Sequence, residues 1–361
     1  MSDRVLSRTG AGDRGPQRGS RAGDPDRSAV APMPVRIGVA GATGFAGQEL
    51  MRLMARHPHA RMTATMSSGA SERVRPLPAL DRIWDGTIVP FDADSLADAA
   101  EVVFLSLPED AAATVTPALL DHGVRVIDLS GAFRLRDQAA RQRWYPNTRM
   151  PGVEPIYGLT ERCRASLPGA QFVTCPGCYP TAALLALEPL AEANLLAGEV
   201  VIDAKSGVSG AGKTPSVRTH FSECHGNVSA YGVFGHRHTP EIEQELGRAV
   251  TFVPHLVPLD RGILETIYAR VTPGTTARQV EEILYTAYAT APFVRLRGDM
   301  LPEIKHVAYT NFCDIGWRVD EPSGRLLIVS CLDNLTKGAA GQAIQNFNVM
   351  LGFDERAGLL A

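Results

Sequence analysis

Apolar residues in the first half of the chain come in short unbroken runs. Residues 35–40, 61–66, 101–107 and 124–129 each read as a strand buried on both faces. Helical spacing lies between them, first over 48–56. Apolar strands alternating with helical stretches predict an α/β fold with a parallel, doubly wound sheet. After about residue 150 the pattern changes. Residues 171–174, 199–204, 251–257, 264–271 and 326–331 are strand-like, with fewer helices between them. They predict an α+β unit with a mainly antiparallel sheet. Apolar positions at helical spacing over 338–350 predict a closing helix.

The first strand runs into Gly41-Ala42-Thr43-Gly44-Phe45-Ala46-Gly47 and then into helix. Backbone amides at such a helix start face outward, and the macrodipole adds positive potential, so a pyrophosphate fits there. The G-x-x-G-x-x-G spacing is a weak signal by itself, and a ligand-free tight turn would read the same way. Its place on the first strand favours a Rossmann-type dinucleotide site over Gly41, Thr43, Gly44, Phe45, Ala46 and Gly47. Ser106 and Pro108, where the 101–107 strand ends, are expected to line the same site. Residues 65–69 hold no Asp or Glu to bond a ribose 2′-OH, whereas Ser67 and Ser68, with Arg73 or Arg75, suit a 2′-phosphate. NADPH/NADP is the cofactor this predicts.

Cys178 follows Pro176-Gly177 and precedes Tyr179-Pro180-Thr181, ahead of an apolar helix over 182–196. A proline in a first helical turn costs no hydrogen bond, so Cys178 is expected at or next to the N-cap. There the dipole favours a thiolate and lowers the thiol pKa. A thiolate is a competent nucleophile toward an acyl group. Cys175-Pro176-Gly177-Cys178 is also a C-x-x-C, the mark of a redox pair or half a zinc site. No second C-x-x-C exists, although Cys224, His225, His236 and His238 carry ligating atoms. No metal is expected. His236 and His238 precede Thr239-Pro240-Glu241, read as N-cap, first residue and first-turn acid of a helix over 241–250. Either histidine can exchange a proton with Cys178 or a substrate oxygen, and spacing does not choose between them.

Composition narrows the class. The chain has 361 residues, enough for about two domains. Its 45% apolar and 21% charged residues suit an ordinary globular protein. A net charge of −3 gives no reason to expect nucleic acid or an anionic membrane as partner. Six cysteines are too sparse for a disulfide scaffold, so a reducing, cytoplasmic setting is expected. No apolar run approaches the roughly 20 residues of a membrane span. Residues 1–34 are rich in Arg, Gly, Asp and Pro, and read as a disordered tail, or as a misassigned start with Met33 the initiator.

The chain resembles the N-acetyl-γ-glutamyl-phosphate reductases over nearly all of 35–354. The segments that carry the likeness are GATGFAG (41–47), VIDLSGAFRL (126–135), YGLTE (157–161), PGCYPTAALLAL (176–187), DAKSGVSGAGK (203–213), HRHTPEI (236–242) and DNLTKGAAGQAIQN (333–346). The resemblance implies NADPH-dependent reduction of a small-molecule acyl phosphate to an aldehyde, in arginine biosynthesis, by a homodimer or homotetramer. It puts the nucleophile on Cys178 and the acid/base in the histidine segment, with His236 favoured over His238. It assigns Ser130, Arg134 and Glu241 to the substrate. Ser206, Gly207, Ser209, Gly210 and Asn334 fall on the nicotinamide side. The implied division is a tail (1–34), a nucleotide-binding domain (35–177 with 332–361) and a catalytic and dimerisation domain (178–331). Three positions depart from the family pattern: Cys175 stands where Asn is usual, Glu109 where His is, and Thr160 where Pro is. Two other readings remain: an aminoadipyl- or aspartyl-phosphate reductase, and a non-catalytic NADP-binding regulator.

Overall fold

The computed structural model describes residues 33–68 and 74–360. The expected tail lies outside them up to residue 32, as does Arg73. Strands β1 (Val35–Ala40), β2 (Ala60–Met66), β3 (Val102–Leu105), β4 (Arg125–Asp128), β5 (Ile156–Tyr157) and β6 (Phe172–Thr174) form one sheet, ordered β2-β1-β3-β4-β6-β5. Every pairing in it is parallel. The helices of this part are α1 (Phe45–Met54), α2 (Ala93–Ala99), α3 (Glu109–Asp121), α4 (Gln138–Trp144) and α5 (Thr160–Cys163). The chain then forms α6 (Cys178–Glu192), β7 (Leu196–Gly207), α7 (Phe221–Cys224), β8 (Ser229–Ala230), α8 (His238–Leu246), β9 (Thr251–Val257), β10 (Ile263–Val271), α9 (Ala277–Tyr288), β11 (Val294–Gly298), β12 (Cys313–Asp320), β13 (Arg325–Leu332) and α10 (Gly341–Met350).

The unbroken apolar runs of β1, β3 and β4 feed two cores. Ile37, Val39, Val102, Phe104 and Ile127 face one way, against α1 and the returning helix α10. Ala40, Val103, Leu105 and Val126 face the other, against α2 and α3. This is the period of two expected of a strand covered on both sides. The fold is therefore α/β and doubly wound. The chain leaves β1 toward β2 on one side and reaches β3 on the other, so a crevice opens beyond their carboxyl ends.

The second sheet is mixed, in the order β11-β12-β13-β10-β7-β9-β8. Four of its pairings are antiparallel, and β7/β9 and β11/β12 are parallel. One face packs through Ile202, Phe252, Ile267, Ile315 and Ile328 onto α6, α8 and α9. On the opposite face Tyr268 stays half exposed. The sequence pattern missed β11, β12 and α9. Among the described residues no helix is long and apolar enough to cross a membrane.

Three boundaries differ from expectation in ways that matter. Helix α1 starts at Phe45 because Gly44 is its N-cap, so the end of the glycine motif is the helix's own first turn. Helix α8 starts at His238 with Arg237 as N-cap, not at Glu241 with Thr239 as cap. The closing helix begins with a π-turn over Thr336–Ala340, where Gly338 N donates to Asp333 O and Ala340 N to Leu335 O, both at 2.9 Å. Such a turn re-aims the residues it contains. Beneath it Lys337 is fully buried, its Nζ donating to Glu161 Oε1 at 2.6 Å and Gln345 Oε1 at 2.7 Å.

Candidate active site

The crevice at the strand ends continues into a cleft of about 610 Å³. Gly41, Thr43, Gly44, Phe45 and Ala46 form its floor at the start of α1. A Cβ on Gly41 would lie 2.1 Å from Ser106 O, and φ there is +84°. A Cβ on Gly47 would lie 2.2 Å from Gly41 O. These two glycines let the loop fold tightly on itself. A Cβ on Gly44 would meet nothing nearer than 3.5 Å, so its missing side chain leaves the helix start open to a ligand. That cradle fits a dinucleotide's pyrophosphate. Ser106 and Pro108 line it from the end of β3, and Ser68 from the end of β2. Ser67 does not line the cleft: it is 1% exposed, and its backbone N donates to Val89 O at 2.9 Å.

Cys178 is the first residue of α6, and Gly177 is the N-cap. Two contacts hold it in place. Gly338 of the π-turn presses so closely that a Cβ there would stand 2.7 Å from Cys178 Cβ. On the other side the His238 ring lies against Gly177, with Nε2 2.4 Å from where a Gly177 Cβ would be. Both His238 and Cys178 line the cleft. His236 does not. It lines the neighbouring pocket of about 860 Å³ with Tyr231 and Arg218, and its Nδ1 accepts the His238 backbone N–H at 3.1 Å. Of the two histidines, His238 stands in the cleft with Cys178 and the favoured His236 in the pocket next to it.

The electrostatics also differ from expectation. Burial pushes the Cys178 thiol up to about 11, outweighing the Arg134 charge and a backbone hydrogen bond from Tyr179, which pull it down. The helix start alone does not make a thiolate here. Burial, with His236, Arg134 and Arg237 nearby, drives His238 well below the usual imidazole range. Both shifts favour the uncharged forms, thiol and imidazole. His238 Nδ1 has no hydrogen-bond partner among the described residues.

Arg134 reaches the cleft from below, 8% exposed. Its Nε donates to Cys175 O and its second terminal nitrogen to Leu129 O, both at 2.8 Å, while the first lies 3.5 Å from Glu241 Oε2. Glu241 itself is fully buried and does not line the cleft. Its Oε1 accepts from Gly177 N and Tyr157 Oη, each at 2.8 Å, so it fixes the turn before Cys178 and neutralises Arg134. Ser130 lines the cleft and donates through Oγ to Asp128 Oδ2 at 2.8 Å. Burial raises Asp128 to about 6 against the pull of those Ser130 bonds.

On the far wall stand Ser209, Gly210 and Asn334. Asn334 Nδ2 donates to Ser209 Oγ at 2.9 Å, and its Oδ1 accepts from Gly262 N at 2.6 Å. Ser206 and Gly207 lie buried behind this wall; a Cβ on Gly207 would meet the Arg261 backbone at 2.7 Å. Three charged lining residues escaped the sequence reading. Lys213 Nζ donates to Thr43 O at 3.0 Å, above the glycine loop. Arg237 and Glu109 pair across the cleft. The SGAGK segment was visible in the sequence, but nothing in it says that the lysine folds back over the first loop. Cys175 is 1% exposed and contacts Asn346 Nδ2 through sulfur at 3.7 Å. All six cysteines are free. Among the described residues no three His, Cys, Asp or Glu side chains are placed to share a metal ion.

A nucleotide cradle in a doubly wound domain, opening on a cleft shared with a second sheet domain, defines the class of a dinucleotide-dependent oxidoreductase. Two family models match in this sense: the semialdehyde dehydrogenase NAD binding domain over residues 36–170 and the semialdehyde dehydrogenase dimerisation domain over 178–334. The N-acetyl-gamma-glutamyl-phosphate reductase of Brevibacillus brevis is 44% identical over 338 residues, 90% of this chain and 98% of the relative. That of Bacillus subtilis is 42% identical over the same shares. The chain belongs to the N-acetyl-gamma-glutamyl-phosphate reductase family. The fold is also that of aspartate semialdehyde dehydrogenase II from Vibrio cholerae, with a TM-score of 0.67 at 17% identity, over 88% of this chain and 98% of the other.

Proposed function

We propose that the protein reduces N-acetyl-γ-glutamyl phosphate to N-acetylglutamate 5-semialdehyde and phosphate, with NADPH as reductant, through a thioester on Cys178. The observation that carries this reading is the packing of His238 on Gly177 beside Cys178, in the same cleft as the glycine cradle. Cys178 Sγ bonds to the acyl carbon as the carbon–oxygen bond to phosphate breaks. His238 accepts the thiol proton at Nε2 and passes it to the departing phosphate. Arg134 and Ser130 hold that phosphate. When bound, the nicotinamide supplies the hydride that reduces the thioester carbon. Backbone amides at the start of α6 stabilise the oxyanion on that carbon. The carbon–sulfur bond then breaks, its electrons return to sulfur, and His238 relays a solvent proton to Cys178. The sum is one proton and one hydride consumed per aldehyde.

Preference for NADP over NAD rests on Ser68 at the end of β2 and on the lack of Asp or Glu over 65–69. Residues 35–177 with 332–361 serve as the nucleotide-binding domain, and 178–331 as the catalytic and dimerisation domain. Assembly as a homodimer or homotetramer is supported by the dimerisation-domain match and the half-exposed Tyr268 on the open sheet face. The free cysteines suit the cytoplasm.

The test is the reverse reaction: NADP reduction with N-acetylglutamate semialdehyde and phosphate, for wild type and Cys178→Ser. Phosphate-dependent NADPH formation that disappears in the variant supports the reading. Activity retained by Cys178→Ser, or wild-type activity only with aspartate or aminoadipate semialdehyde, overturns it.

A further inference from the structure

Three cations line the cleft around Cys178, and the structure gives each a different place. Lys213 sits above the glycine loop through its bond to Thr43 O. Arg134 is fixed beside the nucleophile by two backbone carbonyls and Glu241. Arg237 stands at the mouth. Its side chain is 54% exposed, and among the described residues its one ion-pair partner is Glu109. That pair joins opposite walls, since Glu109 opens α3 behind β3 and Arg237 caps α8. The guanidinium also lies 5.7 Å from the Tyr145 ring. Arg237 immediately precedes His238, so its Cα is about 3.8 Å from that of the residue packed on Gly177.

We propose that Arg237 binds the free carboxylate of the substrate, and that Glu109 is the internal carboxylate that occupies it between turnovers. This rests on the function proposed above. An N-acylated amino-acid phosphate carries two anions. The phosphate is bound next to the reacting carbon, where Arg134 and Ser130 are. The second anion lies a few bonds away and needs its own cation. Arg237 already holds a carboxylate on the cleft wall, and a planar guanidinium takes another in the same fork geometry. Exchanging Glu109 for substrate leaves the local charge on Arg237 balanced, and the partly exposed Glu109 is released to water. A substrate without the carboxylate cannot open the pair. Arg237 thus selects for an amino-acid aldehyde over an amine-derived one.

The experiment compares N-acetylglutamate semialdehyde with its decarboxylated analogue, 4-acetamidobutanal, in phosphate-dependent NADP reduction. Wild type should favour the carboxylated aldehyde strongly in kcat/KM. Arg237→Met should lower kcat/KM for that aldehyde about ten- to a hundredfold more than for the analogue, the range of one charge-assisted hydrogen bond. Arg237→Lys should restore part of the preference. Glu109→Gln removes the competing carboxylate and should lower KM for the carboxylated aldehyde severalfold. A purely structural role for Arg237 would reduce both aldehydes alike. An unchanged preference in Arg237→Met, or a higher KM in Glu109→Gln, overturns the proposal. Wild type inactive on both aldehydes would refute the function itself, and this inference with it.

Discussion

Replacing Gly177 by alanine probes the contact on which the catalytic pairing rests. The backbone there has φ −65° and ψ 157°, which alanine adopts freely. No strain therefore arises in the chain itself, and the loss of a glycine would by itself add about 0.4–1 kcal/mol of stability. The cost falls on His238. The new methyl would sit 2.4 Å from Nε2 and 2.8 Å from the two flanking ring carbons, where ordinary contact begins near 3.4 Å. The ring must retreat by about 1 Å, and a misplacement of that size costs on the order of 100-fold in rate. That corresponds to about 2.7 kcal/mol on the barrier. Tyr179 and His236 pack edge-on against the same ring, at 5.9 and 4.8 Å between centroids, and leave it little room to recover. The assay is kcat for semialdehyde oxidation, beside thermal unfolding and the KM for NADP. We expect kcat to fall about 100-fold while the melting temperature and the KM for NADP hold. A kcat within twofold of wild type would refute the placement of His238 as proton carrier.

Three further predictions follow from the same geometry. Because burial lifts the Cys178 thiol to about 11, iodoacetamide labelling of the free enzyme should rise about tenfold per pH unit through neutrality and level off only near that value; a plateau below pH 8, read by mass spectrometry of the Cys178 peptide, would contradict it. Lys213→Ala removes the ammonium above the glycine loop, and should raise the KM for NADPH about tenfold with kcat little changed; an unaltered KM would place Lys213 outside the cofactor site. Glu161→Gln leaves the fully buried Lys337 ammonium without its carboxylate, and should cost about 3–5 kcal/mol in urea unfolding; a loss under 1 kcal/mol would show that Gln345 suffices.

The doubly wound half was legible because its strands are buried on both sides, and unbroken runs such as EVVFLSL leave few alternatives. Cys178 was legible from its proline and glycine neighbours, which announce a helix start. The choice between His236 and His238 was not. It depends on where α8 begins, and Thr239-Pro240 mimics a cap that the chain does not use. The mixed sheet was read only in part, because β11 holds two arginines among its five residues and lacks the pattern of a buried strand. The thiol's rise in pKa was equally out of reach, since a helix start is visible in a string of letters and the depth of burial around it is not. Glu241 looked like a site residue for its place in the motif; folding turned it inward, to hold Gly177 and Arg134.

The return of α10 to the first sheet has a consequence for synthesis. Ile37, Val39 and Phe104 need Ala343, Ile344 and Phe347 to cover them, and these are synthesised more than 230 residues later. Until that later segment has been polymerised, at about 5–20 residues per second, the half made first keeps an apolar flank open to water. The nascent chain carries that sticky surface for tens of seconds, so chaperone demand should fall sharply once residues 343–347 have emerged. A premature stop before residue 340 would leave an aggregating fragment, not a working nucleotide-binding module.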